Sequence, residues 1–127
     1  MIFGIGIDTI DVPRIARSIE TYGDQFVRRI YSDEEIRYCT GRPHAAEHFA
    51  ARFAAKEAYA KALGTGVRRG FVWTDVVVLK ERSGRPFIVF RGEMEARART
   101  IIGGEFRVKL SITHTKLLAE AIVTIES

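Results

Sequence analysis

The sequence contains very little cysteine and no long apolar run. Cys39 is its only cysteine, so no disulfide can form within one chain. No apolar stretch approaches the roughly 20 residues of a membrane-spanning helix, and the N-terminus lacks the charged start and long apolar core of a secretory signal. These absences argue against a disulfide scaffold and a membrane protein, and they predict a cytoplasmic location.

The composition is that of an ordinary folded protein. Hydrophobic residues make up 46% of the chain and charged residues 28%, which excludes an intrinsically disordered protein. A chain of 127 residues can bury roughly two thirds of its unfolded surface, so we expect one domain over residues 1–127. The formal net charge of +4 favours acidic partners such as nucleotides, nucleic acid or an acidic protein, without choosing among them.

Residues 49–66, FAARFAAKEAYAKALGTG, predict a long helix that is apolar on nearly every side. Such a helix belongs in the protein interior, yet it carries four charged residues, Arg52, Lys56, Glu57 and Lys61. A charge on a buried helix is costly unless it is paired or ligated. Two explanations stay open: internal ion pairs, or a metal-binding Glu57 flanked by cations that meet an anionic ligand.

We expect this helix to end at the segment Gly64-Thr65-Gly66. A glycine suits the left-handed backbone that commonly follows the last helical turn. Arg68 and Arg69 come directly afterwards. A basic loop that contains glycines is a candidate phosphate contact.

Residues 2–8 alternate in the manner of a β-strand, with two glycines on the same face as Asp8. The glycines, Gly4 and Gly6, clear space beside Asp8 or allow close packing against a helix, and both can be true at once. The spacing only partly imitates a dinucleotide-binding fingerprint, because the third glycine is missing and no βαβ unit follows.

The rest of the chain predicts short helices and strands. Helical patterns begin at Asp11, cover residues 26–30, open at the capping box Ser32-Glu35 and return at residues 92–102. Strand patterns cover residues 73–79, 86–90, 106–113 and 118–125. We therefore predict an α+β fold in which an antiparallel sheet packs around the long central helix.

Several polar residues allow two interpretations each. Arg14 and Arg17 lie off the apolar stripe of the first helix, either as a solvated face or as a docking site for an acidic helix. His114 ends a predicted strand beside Ser111, Thr113 and Thr115, as a structural histidine or as part of a polar site.

The segment His44-Ala45-Ala46-Glu47-His48 matches a zinc-protease pattern, H-x-x-E-H. His114 is the only other histidine, and the chain is small for a peptidase, so we disfavour a zinc hydrolase. We expect Glu47 to act locally, by favouring the helix N-terminus electrostatically.

Three segments stand out together: Gly4-Ile5-Gly6-Ile7-Asp8, the block RFAAKEAYAKALGTG from Arg52 to Gly66, and Ser111-Ile112-Thr113-His114. In order and spacing they resemble the holo-acyl-carrier-protein synthase family of phosphopantetheinyl transferases. The turn Ser83-Gly84-Arg85-Pro86 resembles the family's Gly-x-Pro turn. The likeness extends over the whole chain, and its central block is the most specific part.

The resemblance implies a reaction and its participants. It implies transfer of 4′-phosphopantetheine from coenzyme A to a serine of apo-acyl carrier protein, with adenosine 3′,5′-bisphosphate as the second product. It implies Mg²⁺ held by carboxylates that match Asp8 and Glu57, in keeping with the preference of Mg²⁺ for one or two carboxylates plus substrate phosphates and water. It also implies a homotrimer with each site at a subunit boundary, and no nucleic-acid or membrane partner.

The resemblance assigns further roles residue by residue. The catalytic candidates beside Glu57 are Lys61 and His114, and a cation among Arg52, Lys56 and Lys61 would neutralise charge at the phosphate. The residues implied to bind coenzyme A are Arg52, Lys56, Gly64, Thr65, Gly66, Gly84, Pro86, Thr113 and His114. The carrier protein would dock on Arg14, and we extend that surface to Arg17.

Two questions stay open at this point. Thr115 stands where some relatives have an acidic residue, so His114, a water on the metal or another carboxylate could accept the serine proton. The alternative function is a non-catalytic nucleotide or nucleic-acid binding module. Against it, the aromatic residues do not interleave with the basic ones, and Asp8 and Glu57 would be unexplained.

Overall fold

The computed structural model describes all residues, 1–127. The strands are β1 (Ile2–Asp11), β2 (Val76–Lys80), β3 (Pro86–Phe90), β4 (Arg107–His114) and β5 (Leu118–Glu126). The helices are α1 (Val12–Tyr22), α2 (Asp24–Ile30), α3 (Asp33–Thr40), α4 (Ala45–Leu63) and α5 (Met94–Ile102). The predicted α+β class with antiparallel pairing is confirmed. None of the five helices combines the length and the apolar character that crossing a lipid bilayer requires.

The strands form two antiparallel sheets. The larger sheet has the order β1-β5-β4, and β2 and β3 form a separate hairpin. In the larger sheet Ile7 pairs with Ile122, and Asp8 pairs with Ala121. Because side chains alternate along a strand, Asp8 and Ala121 face the core while Ile7 and Ile122 face away from it.

The long helix α4 packs on the inner face of the larger sheet, and twelve of its 19 residues are buried. A β-carbon added to Gly6 would lie 1.9 Å from the carbonyl oxygen of Ala58, and one added to Gly4 would lie 1.9 Å from that of Ala62. The two glycines thus let the backbone of β1 lie directly against the backbone of α4. The predicted close packing of these glycines against a helix is therefore observed.

The ends of α4 and α3 are largely as predicted. Gly64 follows α4 with a φ of 91°, in the left-handed region. At α3 both hydrogen bonds of the capping box between Ser32 and Glu35 are present. The helix α4 begins at Ala45, because the preceding residue, His44, has a left-handed φ of 58°.

The segment from Trp73 to Asp75 differs from the prediction. It forms a short 3₁₀ turn, and the strand β2 begins only at Val76. The carbonyl oxygen of Trp73 accepts a hydrogen bond from Lys56 Nζ at 2.9 Å, so it is taken by the central helix and not by a strand ladder. The ring of Trp73 also stacks on Phe53, at 5.0 Å between ring centroids.

Candidate active site

Asp8 lies where β1 crosses α4, and its carboxylate is mostly buried. Lys61 Nζ donates to Asp8 Oδ1 at 3.1 Å and to the carbonyl oxygen of Ile7 at 3.0 Å. The second carboxylate oxygen, Asp8 Oδ2, is buried without any hydrogen-bond partner. A buried carboxylate oxygen without a donor is unfavourable, so this atom is suited to a cation or to a hydrogen-bond donor of a ligand.

Glu57 is half-buried on α4, close to Asp8. Burial raises the pKa of Glu57 and the neighbouring charge of Asp8 raises it further, whereas Lys61 and Arg14 act in the opposite direction. The four side chains therefore interact electrostatically at one place, where α1, β1 and α4 meet. Two neighbouring negative charges are stabilised by a divalent cation between them.

The pair Asp8 and Glu57 fits Mg²⁺ better than it fits a metal held by protein ligands alone. The free oxygen of Asp8 is the kind of hard ligand that Mg²⁺ takes. The structure contains no group of three or more His, Cys, Asp or Glu side chains placed to hold an ion. A metal here would therefore complete its coordination with water and with substrate phosphates.

The second site is a cleft of about 90 Å³ at the N-terminal half of α4, and we call it the second cleft. It is lined by His48, Ala51, Arg52, Lys80, Gly84, Pro86, Ile112 and His114. Arg52 is only 2% exposed, its Nε has no hydrogen-bond partner, and none of the ion pairs in the structure includes it. Its guanidinium carbon lies 4.1 Å from the centre of the Tyr38 ring. A buried guanidinium without a carboxylate partner suits an anionic ligand such as a phosphate.

His114 enters this cleft from the end of β4. Its Nδ1 lies 2.9 Å from Glu47 Oε1, and its ring meets the ring of His48 edge to face, at 5.0 Å between centroids. Burial lowers the pKa of His48, and the charges of His114 and Arg52 lower it further. Glu47 is thus engaged with His114, and Glu47, His48 and His114 do not form a group of three side chains that could hold a metal ion.

Lys56 contacts neither the carboxylate pair of Asp8 and Glu57 nor the second cleft. It is fully buried, and its Nζ donates to Glu35 Oε1 at 2.7 Å and to the carbonyl oxygens of Ile30 at 2.6 Å and Trp73 at 2.9 Å. All three donors of the ammonium group are therefore in use. This geometry does not support the prediction that Lys56 binds coenzyme A, and an internal ion pair is what the structure contains.

Known proteins share the sequence pattern and the fold of this chain. Residues 4–112 match the family model of the 4′-phosphopantetheinyl transferase superfamily. The chain belongs to this superfamily. It is 52% identical to the holo-[acyl-carrier-protein] synthase of Koribacter versatilis (strain Ellin345) over 126 residues, which cover 99% of each chain.

Solved structures of holo-[acyl-carrier-protein] synthases have the same fold. The enzyme from Neisseria meningitidis is 32% identical, with a TM-score of 0.88 and full coverage of both chains. The enzyme from Bacillus anthracis str. Ames, solved in complex with CoA (3′,5′-ADP), is 36% identical, with a TM-score of 0.81 and coverage of 100% of this chain and 98% of that one. The resemblance inferred from the sequence is confirmed.

The other coenzyme-binding candidates of this phosphopantetheinyl transferase lie on separate surfaces. Gly64, Thr65 and Gly66 form the loop after α4, in which Gly66 also has a left-handed φ, of 63°. Thr113 is exposed on the outer face of the larger sheet, whereas the next residue, His114, points into the cleft. Strand alternation thus separates Thr113 from the His114 cleft within one chain.

The two arginines predicted to dock a carrier protein differ in their surroundings. Both are exposed on α1. Arg14 lies near enough to Glu57 to affect its pKa, so it borders the carboxylate pair. Arg17 Nη2 lies 4.0 Å from Asp11 Oδ2, and an exposed ion pair of this length contributes little to stability.

Reasoning from the sequence gave no binding role to two polar residues of the second cleft, Lys80 and His48, or to Glu47, which contacts His114. Lys80 is the last residue of β2, and His48 and Glu47 belong to the first turns of α4. The only signal was the pattern that includes Glu47 and His48, which led to a zinc hypothesis instead. Their meeting with His114 depends on contacts between α4, β4 and the hairpin, which no local pattern predicts.

Proposed function

We propose that this protein transfers 4′-phosphopantetheine from coenzyme A to a serine of an apo-acyl carrier protein, with release of adenosine 3′,5′-bisphosphate and with a requirement for Mg²⁺. The observation that carries the proposal is the meeting of Asp8, Glu57 and Lys61 around a buried, unpartnered carboxylate oxygen. Relatives that match over their whole length and bear the name holo-[acyl-carrier-protein] synthase support it, as does the related structure in complex with CoA.

The chemistry is a phosphoryl transfer. The serine hydroxyl gives its proton to a general base, its oxygen bonds to the β-phosphorus of coenzyme A, the bond from that phosphorus to the bridging oxygen breaks, and the electron pair leaves with adenosine 3′,5′-bisphosphate. Asp8 and Glu57 would hold Mg²⁺, which screens charge on the diphosphate when it is bound. Lys61 is suited to meet the charge that develops on the phosphate, because its side chain is 50% exposed and only two of its three donors are used.

Coenzyme A presents phosphates that the second cleft can bind. Arg52 supplies a buried, unpaired guanidinium, and the turn at Gly84 and Pro86 lies beside it. We assign His114 to the orientation of a phosphate or of the pantetheine arm. The basic loop of residues 64–69 would contact the nucleotide end of the coenzyme.

The test of this function is intact-mass spectrometry of an apo-acyl carrier protein incubated with the protein, coenzyme A and Mg²⁺. We expect a mass gain of one phosphopantetheine, which a chelator abolishes. If the folded protein modifies none of several carriers, the alternative of a nucleotide-binding module takes its place. If the carrier protein gains the same mass after chelation of all divalent metal, the proposed transfer is supported and the proposed requirement for Mg²⁺ is refuted.

Arg14 is the residue that we propose as the main contact of the acidic carrier protein, with Arg17 beside it. Changing Arg14 to glutamate reverses one charge on an exposed face, so we expect the KM for the carrier to rise by about tenfold while the Kd for coenzyme A stays unchanged. Steady-state kinetics at saturating coenzyme A measure this change. The charge-matched control is Arg99→Glu on α5, and equal carrier KM values in the two variants would refute the docking role.

We also propose that the protein assembles as a homotrimer through the outer face of its larger sheet. Ile5 is 58% exposed and Ile7 57% exposed, and Ile122 pairs with Ile7 on the same face. An exposed apolar face of this kind is typical of an interaction surface. Thr113 shares the face, so a coenzyme contact by Thr113 would cross a subunit boundary.

Sedimentation velocity tests the assembly. We expect a trimer for the unaltered protein and a shift to monomer for Ile7→Lys, because burying an ammonium group in an apolar interface is unfavourable. A monomer of unaltered protein at working concentration would rule the trimer out.

We place the reaction in the cytoplasm. The single cysteine, Cys39, is a buried free thiol whose pKa is raised by burial to about 11. A chain with one inert thiol and no disulfide suits a reducing compartment. Whether the modified carrier serves fatty-acid synthesis or a specialised assembly line depends on carrier preference, which the mass measurement resolves when several carriers are compared.

A further inference from the structure

Glu47 and His114 form a pair that the proposed chemistry does not require. They are 67 residues apart in the chain, yet Glu47 Oε1 lies 2.9 Å from His114 Nδ1. Both side chains are mostly buried. An ionised carboxylate only accepts hydrogen bonds, so the hydrogen on Nδ1 of His114 is donated to Glu47.

This contact decides what His114 presents to the second cleft. With Nδ1 engaged, Nε2 is the only ring nitrogen left for another partner. The ring of His48 packs edge to face against that of His114, which further limits its rotation. Arg52 and Lys80 line the same cleft.

Glu47 also places a negative charge beside a cleft that we expect to bind an anion. A carboxylate beside a cleft that attracts anions repels a phosphate, unless the carboxylate acts through a group that the phosphate needs. Neither Arg52 nor Lys80 forms an ion pair with Glu47, and the only ion pair of Glu47 is with His114. Its influence on the cleft therefore passes through the imidazole.

We propose that Glu47 is a positioning residue for coenzyme A binding: it holds His114 in the tautomer and orientation that present Nε2 to the cleft of Arg52 and Lys80. The proposal rests on coenzyme A being the substrate. The proposal predicts that the negative charge of Glu47 improves the binding of an anion at the neighbouring cleft. Simple charge repulsion predicts the opposite.

Glutamine and alanine at position 47 separate the two views. Glu47→Gln removes the charge but keeps an oxygen that can accept from Nδ1, whereas Glu47→Ala removes both. If Glu47 positions His114, Glu47→Ala raises the Kd for coenzyme A by about tenfold and leaves kcat within about twofold, and Glu47→Gln stays within about threefold of the unaltered protein. If Glu47 only repels phosphate, both variants bind coenzyme A more tightly.

The experiment combines calorimetric titration with coenzyme A and ¹⁵N NMR of the histidine rings. The NMR spectrum should show His114 with the proton on Nδ1 in the unaltered protein and in Glu47→Gln, and a mixture of tautomers in Glu47→Ala. A double-mutant cycle completes the test, because Glu47→Ala should have no effect on the Kd when His114→Ala is already present. An undiminished effect of Glu47→Ala in that background would overturn the proposal.

Two further outcomes keep the inference distinct from the proposed function. Should Glu47→Ala fail to fold, Glu47→Asp takes its place, because its shorter side chain withdraws the carboxylate from Nδ1 while keeping the charge. Equal affinity of this folded variant and the unaltered protein would overturn the role of Glu47 alone. If the unaltered protein does not bind coenzyme A, both the function and this inference fall.

Discussion

Replacing Glu57 with glutamine is expected to lower kcat/KM for phosphopantetheine transfer by about 10²–10³-fold, the loss typical of removing one group that stabilises transition-state charge. Glutamine has nearly the same shape, so the half-buried position on α4 stays filled. What disappears is the negative charge that, together with Asp8, is available to a divalent cation. The measurement is the steady-state rate as a function of Mg²⁺ concentration, where we expect the midpoint to move to higher Mg²⁺.

Glu20→Gln is the control for this variant, because Glu20 is exposed on α1 and carries the same charge. Its rate should match that of the unaltered protein. Asp8→Asn should resemble Glu57→Gln, since Asp8 Oδ2 has no partner within the chain. Full activity of Glu57→Gln at low Mg²⁺ would overturn the assignment of the site while leaving the reaction itself in place.

Replacing Glu35 with alanine is expected to destabilise the fold by about 3–5 kcal/mol, the cost of breaking a buried ion pair on one side. Glu35 is fully buried and accepts hydrogen bonds from Lys56 Nζ at 2.7 Å, Ser32 N at 2.9 Å and Val78 N at 2.8 Å. Burial lowers the pKa of Lys56, and the charge of Glu35 opposes this effect. Without Glu35, the ammonium group and two backbone donors lose their acceptor together.

Urea denaturation followed by circular dichroism measures this loss. Glu95→Ala is the control, since the Glu95–Arg99 pair is exposed and its loss should cost below about 1 kcal/mol. The double variant Glu35→Leu with Lys56→Met should recover much of the stability, because an apolar pair of similar size needs no compensation for buried charge. A loss below about 1 kcal/mol for Glu35→Ala would contradict the structural role of the pair.

The charged residues of α4 show where prediction from the sequence stopped. Spacing of one helical turn brings Arg52 near Lys56, and Glu57 near Lys61, but it does not identify their partners. The structure pairs Lys56 with Glu35 on α3, and Lys61 with Asp8 on β1. Arg52 is left without a carboxylate, which agrees with the alternative of a cation that meets an anionic ligand. These partners are set by packing between elements that are distant in the chain.

The strand β1 shows a second limit. Alternation correctly placed Gly4, Gly6 and Asp8 on one face and the isoleucines on the other. It did not decide which face meets the core. Because the backbone of β1 lies against that of α4, the glycine face turns inward and Ile5 and Ile7 are exposed. Alternation along a strand separates its two faces, but it does not show which face a helix covers.

The sequence by itself determined the features that depend on neighbouring residues: the interior position of α4, its end at Gly64, the capping box of α3 and the class of the fold. Its resemblance to a known family also pointed to Asp8 and Glu57. Only the tertiary structure decided that Lys56 is an internal ion-pair partner, that Thr113 and His114 serve different surfaces, and that Glu47 binds His114. Local patterns reflect backbone geometry over a few residues, whereas these contacts arise from long-range packing in which charge, burial and strand register are settled together.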